Sequence, residues 1–191
     1  MNLPNKLTLL RIILVPFFVA VLLIGSIPYN YLIALVIFAI ASITDMLDGK
    51  IARKYNMVTD FGKFADPLAD KILVISAFAC FIDLDIVNAV FIILVLFREF
   101  TVTSIRLVAV ENGKVVAANM WGKAKTVSQM AAIIVVLLNG FILQLMPNAA
   151  DNVISIMNIV NQSLLWISAA LTVISGFIYI KDNFSFIKNA K

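Results

Sequence analysis

Apolar residues fill six long stretches of this chain: Leu7 to Gly25, Tyr31 to Leu47, Leu68 to Ile82, Ile86 to Val108, Lys125 to Met146 and Val153 to Ile180. Polar residues gather in the breaks between them. A helix needs about 20 apolar residues to cross the hydrocarbon core of a bilayer. The pattern therefore predicts an all-α, polytopic membrane protein with six transmembrane helices, a single domain over residues 1–191 without an extramembrane part, internal repeat or linker. The sixth stretch is long enough to tilt or to project beyond the bilayer. Asn5, Thr8 and Arg11 give the first stretch an amphipathic start, expected to lie along the membrane interface. With no convincing small-residue cleavage site behind it, that stretch reads as part of the mature fold rather than a secretory signal.

Charge sets the orientation. The chain has 15 Lys and Arg against 11 Asp and Glu, a formal net charge of +4, and is 62% hydrophobic. All the basic residues fall near the two ends or near the second-to-third and fourth-to-fifth connections, and the other three connections have none. The positive-inside rule places both termini and the Asp45 to Asp70 region on the cytoplasmic side, where a net positive protein suits an anionic leaflet. Lys114, Lys181, Lys188 and Lys191 read as side chains reaching towards lipid headgroups.

The chemistry concentrates where the second stretch ends and the third begins. The order is Asp45-x-x-Asp48-Gly49-x-x-Ala52-Arg53, eight intervening residues, then Gly62-x-x-x-Asp66-x-x-x-Asp70. Residues three or four apart share a helix face, so each helix would carry one acidic pair. Carboxylates at that density repel one another unless hard cations sit between them, and Mg²⁺ or Mn²⁺ suits an all-oxygen shell. Two such ions about 4 Å apart would clamp both sides of an in-line phosphoryl displacement. Gly49 and Gly62 allow close approach of backbone and ligand, and Arg53 offers a planar fork to a phosphate oxygen. A single Asp-x-x-Asp would pass as ordinary interfacial charge; the whole ordered set does not. Absences narrow the field further. There is no histidine, hence no His-based zinc site or Ser-His-Asp triad, and there is no Walker A loop. The only cysteine, Cys80, sits in apolar sequence and reads as core.

The string from Asp45 to Asp70 resembles, without a departure, the signature of the CDP-alcohol phosphotransferase family. The run Asn2-Leu3-Pro4-Asn5-Lys6-Leu7-Thr8 with Arg11 and Pro16, the run Asp66 to Lys71, Arg98-Glu99-Phe100 and Gly122-Lys123-x-Lys125-Thr126 resemble its bacterial branch that uses sn-glycerol 3-phosphate. The resemblance implies transfer of a phosphatidyl group from CDP-diacylglycerol to that acceptor, giving phosphatidylglycerol phosphate and CMP. It implies that Asp45, Asp48 and Asp66 ligate two Mg²⁺ (or Mn²⁺) ions with Asp70 beside the second. Asp70 is then the candidate general base, and Asn5, Thr8, Gly49, Arg53 and Thr59 contact the CDP moiety. It further implies a homodimer in the bacterial cell (inner) membrane, its active site facing the cytoplasm. The expected partners are the two substrates and the phospholipid membrane, not nucleic acid. Pro67 leaves two local readings: Asp66 caps a helix that starts at the proline, or the proline sits in a helix already under way.

A second, basic group lies further along. Arg98 and Arg106 are about two helical turns apart, and Lys123 and Lys125 open the next apolar stretch. Charges so close to apolar sequence need partners, and a phosphate-bearing acceptor would supply one, with Glu99 holding Arg98 in place. A dianionic acceptor needs such a cluster, and uncharged or zwitterionic alcohols would need fewer cations; a family member using serine, inositol phosphate or phosphatidylglycerol would keep the aspartates and change the acceptor. A divalent-cation transporter would carry its acidic residues deeper in the spans, whereas here they gather at one face.

Overall fold

The computed structural model describes the backbone of residues 2–54, 60–111 and 119–184, and the side chains within them other than those of residues 3, 4, 46–54, 60–67, 70 and 111. The described residues form six helices, α1 Leu3–Leu23, α2 Asn30–Lys54, α3 Asp60–Asp83, α4 Ala89–Glu111, α5 Met120–Leu145 and α6 Asp151–Asp182. Each apolar stretch became one helix. Three of them, α1 from Asn5, α5 and α6, are long and apolar enough to cross a membrane, and α2 holds a shorter apolar run, Asn30–Asp45. The helices α3 and α4 carry charged residues along their length, among them Lys71, Arg98, Glu99 and Arg106.

Backbone contacts divide the chain into two compact units, residues 1–86 with 133–155, and residues 87–132 with 156–191. In the first unit α1 packs against α2 and α3. Val15, Phe18 and Leu22 recur at helical spacing on α1, and Ala34, Phe38 and Ala41 on α2; all are buried. The small alanines let the helix backbones approach, and Phe18 and Phe38 fill the space with ring centroids 6.0 Å apart. Asn30 ties three elements together. Its Nδ2 donates to Leu22 O at 2.9 Å, while its Oδ1 accepts from the Tyr31 N–H at 3.0 Å and from Gln144 Nε2 at 2.6 Å. The same buried face of α1 begins with Asn5, Thr8 and Arg11. The expected amphipathic start is thus the first part of one continuous helix, and its polar side is turned into the protein instead of towards an interface, because Arg11 has a carboxylate partner there.

The turn after α3 is a Schellman closure. Ile86 N–H donates to Phe81 O at 2.8 Å and Asp85 N–H to Ile82 O at 3.0 Å, with Asp85 left-handed at φ 55° where glycine is usual. In the second unit Phe91 meets Trp166 edge to face at 6.3 Å. Gln129 Nε2 donates to Thr172 Oγ1 at 3.1 Å, a buried bond between α5 and α6. Large apolar side chains such as Phe17, Phe97, Phe100 and Phe177 stay exposed while these polar ones are buried, the inverse of a water-soluble bundle.

Candidate active site

The acidic residues belong to the first unit. Because α2 runs unbroken to Lys54, Asp45 and Asp48 lie one turn apart on one helix, and Asp66 and Asp70 do so on α3. The helix α3 begins at Asp60, so Pro67 sits in a helix already under way and Asp66 is not its cap. The side chains of Asp48, Gly49, Arg53, Asp66 and Asp70, and the whole of Thr59, lie outside the described residues. Asp45 is described and already engaged on one side. Its Oδ1 meets Arg11 Nη1 at 2.6 Å; the arginine side chain is 1% exposed and that of the aspartate 43%. Arg11 Nε also donates to Ala41 O at 3.3 Å, which fixes the guanidinium against α2. A buried arginine with a fixed hold is costly to leave unpaired, so Arg11 orients Asp45 while much of that carboxylate stays accessible. Among the described residues no three His, Cys, Asp or Glu side chains converge, Asp45 being the one described member of the four. The oxygen-only donor set, two acidic pairs at one-turn spacing on two helices, fits a hard divalent cation. Asn5 and Thr8 are buried on the same side of α1 as Arg11.

The basic group belongs to the second unit, and the structure brings most of it together. Glu99 Oε1 accepts from Arg98 Nη1 at 2.9 Å and from Lys125 Nζ at 2.5 Å, joining α4 to α5. The second terminal nitrogen of Arg98 donates to Ser175 Oγ on α6 at 2.9 Å. One turn on, Tyr179 accepts from Arg106 Nε at 3.2 Å and lies under the guanidinium, 5.6 Å from ring centroid to Cζ. Ser175 and Tyr179 are four residues apart and Arg98 and Arg106 eight, so one face of α6 holds both arginines of α4. Gly176 makes the approach possible, since a Cβ there would press on Arg98 Cγ at 3.0 Å. Lys125 is buried and Lys123 exposed, so of the two lysines it is Lys123 that is open to a ligand from solvent. Two cations, Arg98 and Lys125, share the Glu99 carboxylate and Arg106 is held separately by Tyr179, so these three charges are oriented before any anion arrives.

Sequence reading named Glu99 as a support and overlooked Ser175, Gly176 and Tyr179. A signal existed: Ser168, Thr172, Ser175 and Tyr179 recur at helical spacing through an otherwise apolar helix, and all four are buried.

Comparison with known proteins identifies the family. The model of a family described as CDP-alcohol phosphatidyltransferase matches residues 1–174. A Bacillus subtilis (strain 168) protein named CDP-diacylglycerol–glycerol-3-phosphate 3-phosphatidyltransferase is 40% identical, over 99% of this chain and 98% of its own. A protein of the same name from Rickettsia bellii is 37% identical over 94% of each chain. A probable phosphatidylglycerophosphate synthase of Mycobacterium tuberculosis (strain H37Rv) is 43% identical over 69% of this chain and 64% of its own. With a family model spanning both units and relatives matching almost end to end, the chain belongs to the CDP-alcohol phosphatidyltransferase family.

Proposed function

We infer that this protein transfers the phosphatidyl group of CDP-diacylglycerol to sn-glycerol 3-phosphate, forming phosphatidylglycerol phosphate and releasing CMP. The observation that carries the acceptor choice is the pre-orientation of Arg98, Arg106 and Lys125, with exposed Lys123 beside Lys125 in sequence, which a neutral or zwitterionic alcohol would not require. Similarity over nearly the full length to relatives named for this reaction supports the same reading.

The donor's tails stay in the leaflet and its cytidine diphosphate lies against the cytoplasmic ends of α2 and α3. Asp45, Asp48, Asp66 and Asp70 would hold two divalent ions, Mg²⁺ or Mn²⁺, whose charge would offset that of the diphosphate during transfer. Arg11 keeps Asp45 in position for that task. Asn5, Thr8, Gly49, Arg53 and Thr59 contact the CDP moiety. Asp70 takes the proton from the acceptor's hydroxyl as its oxygen bonds to the lipid-side phosphorus. The bond from that phosphorus to the CMP oxygen breaks, and Arg53 stabilises the charge that CMP carries away. Arg106 and Lys123 hold the acceptor's own phosphate; Arg98 and Lys125, tied through Glu99, frame it. The six helices form one catalytic domain spanning a bacterial cell membrane six times, both termini and the site cytoplasmic, in a homodimer.

Release of CMP by the purified protein tests this directly. With CDP-diacylglycerol in mixed micelles, glycerol 3-phosphate should support turnover and glycerol, serine and inositol phosphate should be poor acceptors. Equal use of any of these would move the chain to another acceptor class, and no CMP release with any acceptor would remove the transferase reading.

A further inference from the structure

We propose that Asn119 is a direct ligand of the acceptor's phosphate group, setting specificity for a phosphate monoester together with Arg98. The proposal rests on the acceptor reading above and identifies donors that complete that site.

Asn119 immediately precedes α5 and divides its carboxamide between two directions. Its Oδ1 accepts from the Gly122 N–H at 2.8 Å, capping the helix. Its Nδ2 is buried and has no acceptor among the described residues. A buried amide donor without a partner is uncommon in native proteins and asks for an explanation. A second such donor is Arg98 Nε, also buried without an acceptor among the described residues, although both terminal nitrogens of that guanidinium are engaged. The Asn119 carboxamide and the Arg98 guanidinium both flank Gly122, since a Cβ there would meet Asn119 Oδ1 at 3.3 Å and Arg98 Nη2 at 3.4 Å. Glycine at position 122 thus keeps the space between them clear.

Both orphaned atoms are donors, and a ligand that presents only acceptors satisfies both. A phosphate monoester dianion is such a ligand, and the α5 amino end beside it favours negative charge. The neutral amide adds what the lysines lack: a donor whose direction is fixed by its own cap, so that it selects a phosphate oxygen by position rather than by long-range attraction.

The cap supplies a clean test. Asn119→Asp retains the capping oxygen and the side-chain shape but replaces the donor with a negative oxygen; Asn119→Ser retains a capping hydroxyl without adding charge. The full-length protein is assayed in CDP-diacylglycerol mixed micelles with Mg²⁺, varying glycerol 3-phosphate and using inorganic phosphate as a competitor. Asn119→Asp should raise the KM for glycerol 3-phosphate and the Ki of inorganic phosphate together, by at least about tenfold, and Asn119→Ser by about three- to tenfold. The KM for CDP-diacylglycerol should stay within about twofold and the apparent Tm should be unchanged. If the Asp variant does not fold, the Ser variant carries the test alone. Unchanged acceptor constants in the folded variants would reduce Asn119 to a cap, and a parallel rise in both substrates' KM would reduce it to a structural residue. Either result overturns the proposal. Should Arg106→Ala and Lys123→Ala also leave the acceptor KM unchanged, it is the acceptor reading itself that fails.

Discussion

Asp70 and Arg106 illustrate the two kinds of residue this reaction needs. A base that acts in the chemical step matters for the transition state and little for folding, so Asp70→Asn should give a folded, lipid-binding protein with turnover lowered at least about 10²-fold. Near-normal turnover in that variant would take the base role from Asp70. Arg106 is held by Tyr179 through both a hydrogen bond and its ring, so its charge is presented at a defined place. Charge-assisted contacts contribute about 1.5–3 kcal/mol, and Arg106→Ala should raise the acceptor KM roughly 10- to 100-fold while the CDP-diacylglycerol KM barely moves. A defect confined to the lipid donor would show that this group serves the wrong substrate. Lys123 is exposed and should behave similarly; Lys125 is buried against Glu99, and its removal should also disturb Arg98.

At the scale of helices, close approach is set by glycines opposite bulky side chains. A Cβ at Gly140 on α5 would overlap the ring of Tyr31 on α2. Replacing a mid-helix glycine by alanine normally favours the helix by up to about 1 kcal/mol, whereas forced overpacking costs about 1–3 kcal/mol. Gly140→Ala should therefore lower the apparent Tm. In a Tyr31→Ala background the clash is gone and the same substitution should raise it. A thermal unfolding series on the four proteins of this cycle reads the sign directly, and a substitution that is equally destabilising in both backgrounds would mean that the ring is not what crowds position 140. Elsewhere the same economy appears in α6, where Gly176 admits Arg98 and the adjacent Ser175 receives its hydrogen bond.

For the whole molecule, the acidic motif and the apolar helices have to be considered together. Four carboxylates carried by α2 and α3 would repel one another if brought together, and a hard cation between them would offset that repulsion. Thorough chelation should abolish CMP release, and Mg²⁺ or Mn²⁺ should restore it. Turnover that persists without divalent ions would remove the two-ion mechanism. Exposed Phe17, Phe97, Phe100 and Phe177 call for a lipid or detergent surround, so each of these measurements belongs in micelles or vesicles.

The six helices, the acidic motif at the α2 and α3 ends and the basic positions were all legible in the chain, because each depends on local regularities. Apolar runs of membrane length leave few alternatives to helix, and charges beside them are too costly to be incidental. Partners were not legible. Arg98 meets Ser175 77 positions away and Arg106 meets Tyr179 73 positions away, contacts decided by which face α6 turns to α4. Periodicity marks that a face exists but not what it faces. Arg11 was noticed as part of a motif and read as interfacial; the structure buries it against Asp45, since a charge inside a helix bundle goes where its counter-charge is. Asn119 carried no sequence signal, for a capping asparagine is commonplace. Only the folded structure showed its second polar atom buried without a partner among the described residues.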